Sequence, residues 1–144
     1  MDPISVIVNG ATGKMGTETV ATVNQQDDMA LVGATCLRDR GGELALPGGG
    51  HVPLSTDLEE LIGRIQPDVV VDFTNSTACM EAAVVGAGHS VNLVLGSSGL
   101  TQDHLAQLDA LANDKNIGVI VAPYFALGAV VLKRLVEQAA PYFD

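Results

Sequence analysis

A short, β-branched apolar run, Ile4-Ser5-Val6-Ile7-Val8, leads through Asn9 into Gly10-Ala11-Thr12-Gly13-Lys14-Met15-Gly16, and few folds accommodate that succession. An apolar run without polar alternation reads as a strand buried on both faces, the kind found in a parallel sheet covered by helices. In the G-x-x-G-x-x-G segment that follows, Gly10 permits a tight turn, Gly13 lets the backbone approach a bound group, and Gly16 lets the next helix lie close on the strand. The unpaired N–H groups of that helix's first turn then face an anion. Glycine spacing alone would also suit a plain strand-to-helix turn. The readable strand before it and helix after it favour a dinucleotide, with its pyrophosphate at the helix N-terminus.

The rest of the chain repeats this alternation. A helix is predicted from Lys14 to about Gln25, with Met15, Thr19, Val20 and Val23 at helical spacing, and a second strand over Leu31–Cys36. Arg38 to Ser55, with Gly41-Gly42, Pro47 and Gly48-Gly49-Gly50, reads as a long irregular connection. Thr56-Asp57 caps a helix reaching Gly63 or Arg64; Val69–Phe73 is a third strand, Thr77–Ala87 a helix, and Val91–Leu95 a fourth strand. A helix from Thr101 to Lys115, with Leu105, Leu108 and Leu111 on its buried side, precedes a fifth strand over Gly118–Ala122 and a last helix from Leu127 to about Ala140. Residues 1–144 are thus expected to form one α/β domain of the doubly wound, Rossmann-like class. Helices cover both faces of a parallel sheet of order 3-2-1-4-5, with the ligand at the carboxyl ends of the strands.

Charge and residue usage narrow the function classes. Seven Lys and Arg against seventeen Asp and Glu leave a net charge of -10, which opposes binding to nucleic acid or to an anionic membrane surface. No apolar run approaches the roughly 18 residues that span a bilayer. The start of the chain lacks a basic region followed by a cleavage site, so a cytoplasmic location is expected. Cys36 and Cys79 form no C-x-x-C pair and read as small buried hydrophobes, and His51, His89 and His104 have no metal-ligand spacing. No metal site and no catalytic residue is therefore assigned. Tyr124 is followed four places on by Gly128 and not by the Lys of a Tyr-x-x-x-Lys pair, which disfavours the short-chain dehydrogenases.

The candidate cofactor-binding residues fall at the ends of strands. Gly10, Ala11, Thr12, Gly13, Lys14 and Met15 belong to the pyrophosphate loop. At the end of strand two, folds that take NAD carry an acid for the ribose hydroxyls. Here the sequence runs Cys36-Leu37-Arg38-Asp39-Arg40, so Arg38 and Arg40 are available to a 2′-phosphate, and NADPH is the expected cofactor. NADH stays open because Asp39 can supply a carboxylate. Phe73 and Thr74, then Gly96, Ser97 and Ser98, then Pro123, Tyr124 and Phe125 end the later strands and are expected along the nicotinamide. Asp72 can orient its loop without touching a ligand.

Taken together, Val8-Asn9-Gly10-Ala11-Thr12-Gly13-Lys14-Met15-Gly16, Val71-Asp72-Phe73-Thr74, Gly96-Ser97-Ser98-Gly99-Leu100 and Ala122-Pro123-Tyr124-Phe125-Ala126-Leu127-Gly128 resemble the N-terminal domain of the 4-hydroxy-tetrahydrodipicolinate (dihydrodipicolinate) reductases. The resemblance implies an NAD(P)H-dependent oxidoreductase of lysine and diaminopimelate biosynthesis, with a cyclic dicarboxylate as substrate. The family typically has two threonines where this chain has Ser97 and Ser98, and Asn-Phe-Ser where it has Tyr124-Phe125-Ala126. The family's His-His-x-x-Lys-like and Ser-Gly-Thr segments, which belong to its C-terminal domain, are not in this sequence. The expectation is cofactor binding without turnover by this chain alone, and exposed apolar surface on its last helix. A non-enzymatic NADPH-binding sensor or assembly module, and a different reductase completed by a partner subunit or by self-association as a homo-oligomer, are the alternatives.

Overall fold

A computed structural model describes residues 2–38 and 41–143. Asp39 and Arg40, both weighed above as contacts to the ribose end, lie outside the described residues. In chain order the elements are β1 (Ile4–Asn9), α1 (Lys14–Val23), β2 (Met29–Thr35), β3 (Glu43–Ala45), β4 (His51–Ser55), α2 (Leu58–Ile65), β5 (Val69–Asp72), α3 (Ser76–Gly88), β6 (Asn92–Leu95), α4 (Gln102–Lys115), β7 (Val119–Val121) and α5 (Leu127–Ala139), followed by a 3₁₀ turn over Ala140–Tyr142.

The strands form one sheet of order β3-β4-β2-β1-β5-β6-β7, parallel except for the antiparallel β3–β4 pair. The doubly wound α/β class is as expected, and the strand order differs in detail. Val69–Asp72, expected outside strand two, pairs instead with β1 from the other side. The place beside β2 belongs to His51–Ser55, inside the stretch expected to be irregular. The reason is local: Leu44, Leu46, Val52 and Leu54 pack on the core, while Pro47 and the positive-φ glycines 48–50 make only the turn that joins them.

Within β1 the side chains divide between two layers, as period two requires. Val6 and Val8 join Val20 and Val23 of α1 and Leu31 and Ala34 of β2 on one face. Ile7 joins Val70, Leu93 and Leu95 with Leu61 and Ile62 of α2, Cys79 and Ala83 of α3 and Leu108 of α4 on the other. The face of α1 against the sheet is Gly16, Val20 and Val23, whereas Met15 points outward. Met15 was expected in the apolar stripe, but at the first turn the close approach of Gly16 leaves no room for a long side chain on that side. Cys36 and Cys79 are both buried thiols.

Helices α2, α3 and α4 start from side-chain caps. The Asp57 carboxylate accepts from the Glu60 N–H, Asn75 accepts from the N–H groups of Thr77 and Ala78, and Thr101 and His104 form a reciprocal capping box. Helix α5 buries none of its residues; Leu127, Leu132, Leu135 and Val136 are exposed on it, as are Tyr142 and Phe143 beyond it. This is the exposed apolar surface expected of the last helix.

At the amino end of the sheet, away from the ligand end, the Asp68 carboxylate accepts from the Ser5 N–H at 2.7 Å and the Ser5 hydroxyl at 2.6 Å. These bonds, the hydroxyl's first, hold its pKa below the ordinary value of 3.8. A depressed carboxylate stabilises the fold above its unfolded-state value, and that contribution is lost as pH falls through the folded-state value. Because the group is exposed, the effect is small. The melting temperature of wild type should exceed that of Asp68→Asn at neutral pH, with the gap closing below pH 3.8. A gap that stays constant down to about pH 2 would remove the charge from this account.

Candidate dinucleotide site

The carboxyl ends of β1, β2 and β5 open into a cleft of about 790 Å³, within the range of cofactor sites. Its floor is the glycine loop. Gly10 has φ +80, a conformation that costs an L side chain strain, and a Cβ there would stand 3.0 Å from the Phe73 carbonyl oxygen. The Gly13 N–H donates to the Gly10 carbonyl at 3.0 Å, closing the turn, and Gly13 becomes the N-cap of α1 without any side-chain cap. The first turn of α1 contains no acid. Its opening N–H groups therefore meet neither a capping oxygen nor a repelling carboxylate, which suits an anion. A Cβ on Gly16 would lie 2.7 Å from Ala11 Cα and closer still to the Gly10 carbonyl oxygen, so the helix sits against the loop only because residue 16 has no side chain.

The structure brings several of the predicted residues together. Gly10, Thr12, Gly13, Phe73 and Thr74 line the cleft. Ala11 is buried behind it, its N–H donating to the Thr35 carbonyl at 2.9 Å. Lys14 and Met15 lie on the outer shoulder of the loop, beside Thr17 and Glu18 in an adjoining depression. Along the end of β2 the cleft is walled by Thr35, Cys36 and Leu37, and Leu37 is 93% exposed. Among Cys36 to Arg38, the described residues that directly follow β2, there is no acid, and the acids Asp57 and Glu59 that also line the cleft belong to the start of α2. The Cys36 thiol donates to the Arg38 carbonyl at 2.9 Å, which fixes the backbone of the turn that carries Arg38 at the exposed rim. Among the described residues the Arg38 guanidinium has no ion-pair partner.

The later strand ends gather on the other side. The Phe73 ring meets the Phe125 ring edge-on, centroids 4.9 Å apart at 70°, an arrangement favoured by the ring quadrupoles. Both rings lie over Gly96, where a Cβ would stand 2.6 Å from Phe73 Cδ1 and 2.9 Å from Phe125 Cε2. Ser97 is buried, and its hydroxyl donates to Asp72 Oδ1 at 2.8 Å. Ser98 is exposed beside it, as are Pro123 and Tyr124 after β7.

Sequence reasoning missed the cleft wall from Thr56 to Glu59 at the start of α2, and the role of Asn9 and Thr35. The Asn9 amide donates to Asp72 Oδ2 at 2.6 Å and accepts from the Thr35 hydroxyl. The available signal was that each of these polar residues ends an apolar strand, the point where a parallel sheet presents its ligand end. Cys79 lies against the same group: burial, then the Asp72 charge, pushes its thiol up to about 12, so it is no nucleophile at neutral pH. Among the described residues no group of three or more His, Cys, Asp or Glu is placed to hold a metal ion, and no helix is long and apolar enough to cross a membrane.

Comparison with known proteins agrees with this geometry. The family described as "Dihydrodipicolinate reductase, N-terminus" matches residues 4–125. A 4-hydroxy-tetrahydrodipicolinate reductase of Dehalococcoides mccartyi is 42% identical over 143 residues, covering 99% of this chain and 54% of that protein. One of Syntrophomonas wolfei is 38% identical over 141 residues, covering 96% and 53%. A solved dipicolinate-bound dihydrodipicolinate reductase from Paenisporosarcina sp. TG-14 superposes with a TM-score of 0.78 at 37% identity, over 98% of this chain and 55% of that one. A myo-inositol 2-dehydrogenase from Lactobacillus plantarum shares the fold at a TM-score of 0.69 and 15% identity. The chain spans about half the length of the curated relatives it matches. It belongs to the dihydrodipicolinate reductase family, whose N-terminal region it represents.

Proposed function

We propose that this chain is the NAD(P)H-binding domain of a 4-hydroxy-tetrahydrodipicolinate reductase, an oxidoreductase of lysine and diaminopimelate biosynthesis working in the cytoplasm on a cyclic dicarboxylate. The observation that carries the reading is the glycine loop between β1 and α1, closed on itself and leading into a helix start without a side-chain cap at the floor of the cleft. A bound nicotinamide supplies the hydride. The pyrophosphate belongs at Gly10, Ala11, Thr12, Gly13, Lys14 and Met15. The adenosine end lies along Thr35, Cys36 and Leu37 with Arg38 at the rim, and the nicotinamide end belongs at Phe73, Thr74, Gly96, Ser97, Ser98, Pro123, Tyr124 and Phe125.

NADPH is preferred in this reading, because the described residues that directly follow β2, Cys36 to Arg38, include no acid to hold ribose hydroxyls, and Arg38 carries a guanidinium without an ion-pair partner among the described residues. The cleft supplies hydroxyls, amide groups, an aromatic ring and the carboxylates of Asp57, Glu59 and Glu81; in this reading the substrate contacts and the proton donor come from beyond this domain, from the other half of such a reductase or from a partner subunit. The exposed apolar side chains of α5 are consistent with further protein packing there.

Calorimetric titration of the purified chain with NADPH and then NADH, at one fixed ionic strength, tests the proposal. Saturable binding, tighter for NADPH, is the expected result; no binding of either cofactor would overturn it. Arg38→Ala should weaken NADPH about tenfold or more and leave NADH within about twofold, since a charge-assisted bond to the 2′-phosphate is absent from NADH. Equal losses for the two cofactors would remove the 2′-phosphate from Arg38.

A further inference from the structure

Asp72 is a fully buried residue at the carboxyl end of β5, and it does not line the cleft. Its carboxylate accepts hydrogen bonds from the Asn9 amide at 2.6 Å, the Thr74 N–H at 3.1 Å, the Thr74 hydroxyl at 3.0 Å and the Ser97 hydroxyl at 2.8 Å. Every neighbour donates, so both oxygens act only as acceptors. Among the described residues no Lys, Arg or His is ion-paired with it. The network runs further: Asn9, whose amide nitrogen is committed to Asp72, accepts from Thr35 with its oxygen.

A buried charge without a cation is an expensive way to join strands. Here it is not needed for that purpose, because β1 already pairs with β2 and β5, and β5 with β6, through their backbones. Its own hydrogen bonds reach three segments that border the site, and Asn9 carries the network on to a fourth. Asn9 precedes Gly10 of the pyrophosphate loop, Thr35 precedes the Cys36–Leu37 wall, Thr74 lines the cleft, and Ser97 sits between Gly96 and Ser98. A fully satisfied buried network fixes geometry more tightly than packing alone, and site residues depend on such support.

We infer that Asp72 is a positioning residue of the dinucleotide site, setting through Asn9 and Thr35 on one side and Ser97 and Thr74 on the other how the pyrophosphate loop stands relative to the nicotinamide-side loop. The inference rests on the dinucleotide reading above for the identity of the ligand, but the coupling of the two loops is a property of the chain itself.

The test compares wild type, Asp72→Asn, and the exchange Asn9→Asp with Asp72→Asn. Three quantities are measured: melting temperature, NADPH affinity by calorimetry, and the backbone amide NMR signals of the ligand-free protein. Asp72→Asn turns one acceptor into a donor facing donors. It should lower NADPH affinity about tenfold to a hundredfold and move amide signals at both Gly10–Gly13 and Ser97–Ser98. The exchange keeps one carboxylate and one amide between the same hydroxyls and should restore affinity to within about threefold. Affinity within about threefold of wild type in folded Asp72→Asn, or an exchange variant that melts like wild type yet stays as weak as the single variant, would overturn the inference. Should Asp72→Asn fail to fold, Thr35→Val and Ser97→Ala each delete one hydroxyl of the network and no charge. Each is then expected to move amide signals on the opposite loop, and movement confined to its own loop would overturn the inference. Absence of NADPH binding by wild type would count against the dinucleotide reading instead, and the amide signals would still decide the coupling.

Discussion

Gly16→Ala is expected to lower stability by about 3 kcal/mol, a fall of roughly 10 °C in melting temperature for a domain of this size, and to abolish measurable NADPH binding in the same protein. The added Cβ would meet backbone, Ala11 Cα at 2.7 Å and the Gly10 carbonyl carbon at 2.8 Å, and backbone cannot yield by changing rotamer. Relief requires α1 to lift from β1 or the loop to open, and either movement disturbs the N–H groups proposed to face the pyrophosphate. Thermal unfolding and calorimetry on one preparation decide the matter. A variant that melts within about 2 °C of wild type and keeps its affinity would show that the helix can stand off the loop at no cost.

Ile7→Ala should separate stability from binding. Ile7 is fully buried in the layer formed with α2, α3 and α4, opposite the layer that α1 joins. Loss of its side chain leaves a cavity beneath Leu61 and costs about 3 kcal/mol, so the melting temperature should fall by roughly 10 °C. The backbone register of β1 is kept, and with it the loop at its end. NADPH affinity well below the melting transition should therefore stay within about threefold of wild type, and saturating NADPH should recover part of the lost melting temperature by mass action. A loss of affinity as large as that expected for Gly16→Ala would mean that packing beneath β1 controls the loop.

The contrast between these two positions also explains what could be read from the chain beforehand. The glycine loop was legible because its demands are steric and contiguous: Gly10, Gly13 and Gly16 lie within seven residues, between a strand and a helix that each announce themselves by period. The β3–β4 hairpin was not legible, since Val52 and Leu54 alternate around Pro53 in a stretch dominated by glycine, and turn composition outweighed two core side chains. It also displaced the expected strand order, because Val69–Asp72 could be placed only once the occupant of the site beside β2 was known. The polar network under the cleft was out of reach for a different reason. Thr35, Asn9, Asp72 and Ser97 come from four separate segments, and only the register that sets Asn9 opposite both Thr35 and Asp72 brings them together. Asp72 alone was singled out, as a residue able to orient its loop without touching a ligand; its bonds to Asn9, Thr74 and Ser97, outside the cleft lining, are the basis of the inference drawn above.

The sheet order also carries a consequence for biosynthesis. Among the described strands β1 is both the first in chain order and the central one of the sheet, and its two neighbours follow it at different distances along the chain. β2 follows within a few residues of α1, but the bond from Asn9 to Asp72 spans 63 positions. Parallel pairing of such separation is slow, because the loop between must close before any contact rewards it. A nascent chain released only as far as α2 therefore holds the sequence of the glycine loop, α1 and β2 but not that of β5, the partner of the other edge of β1. The residues of the cleft floor are made before those of its second wall, and one edge of the central strand has no native partner until β5 is translated.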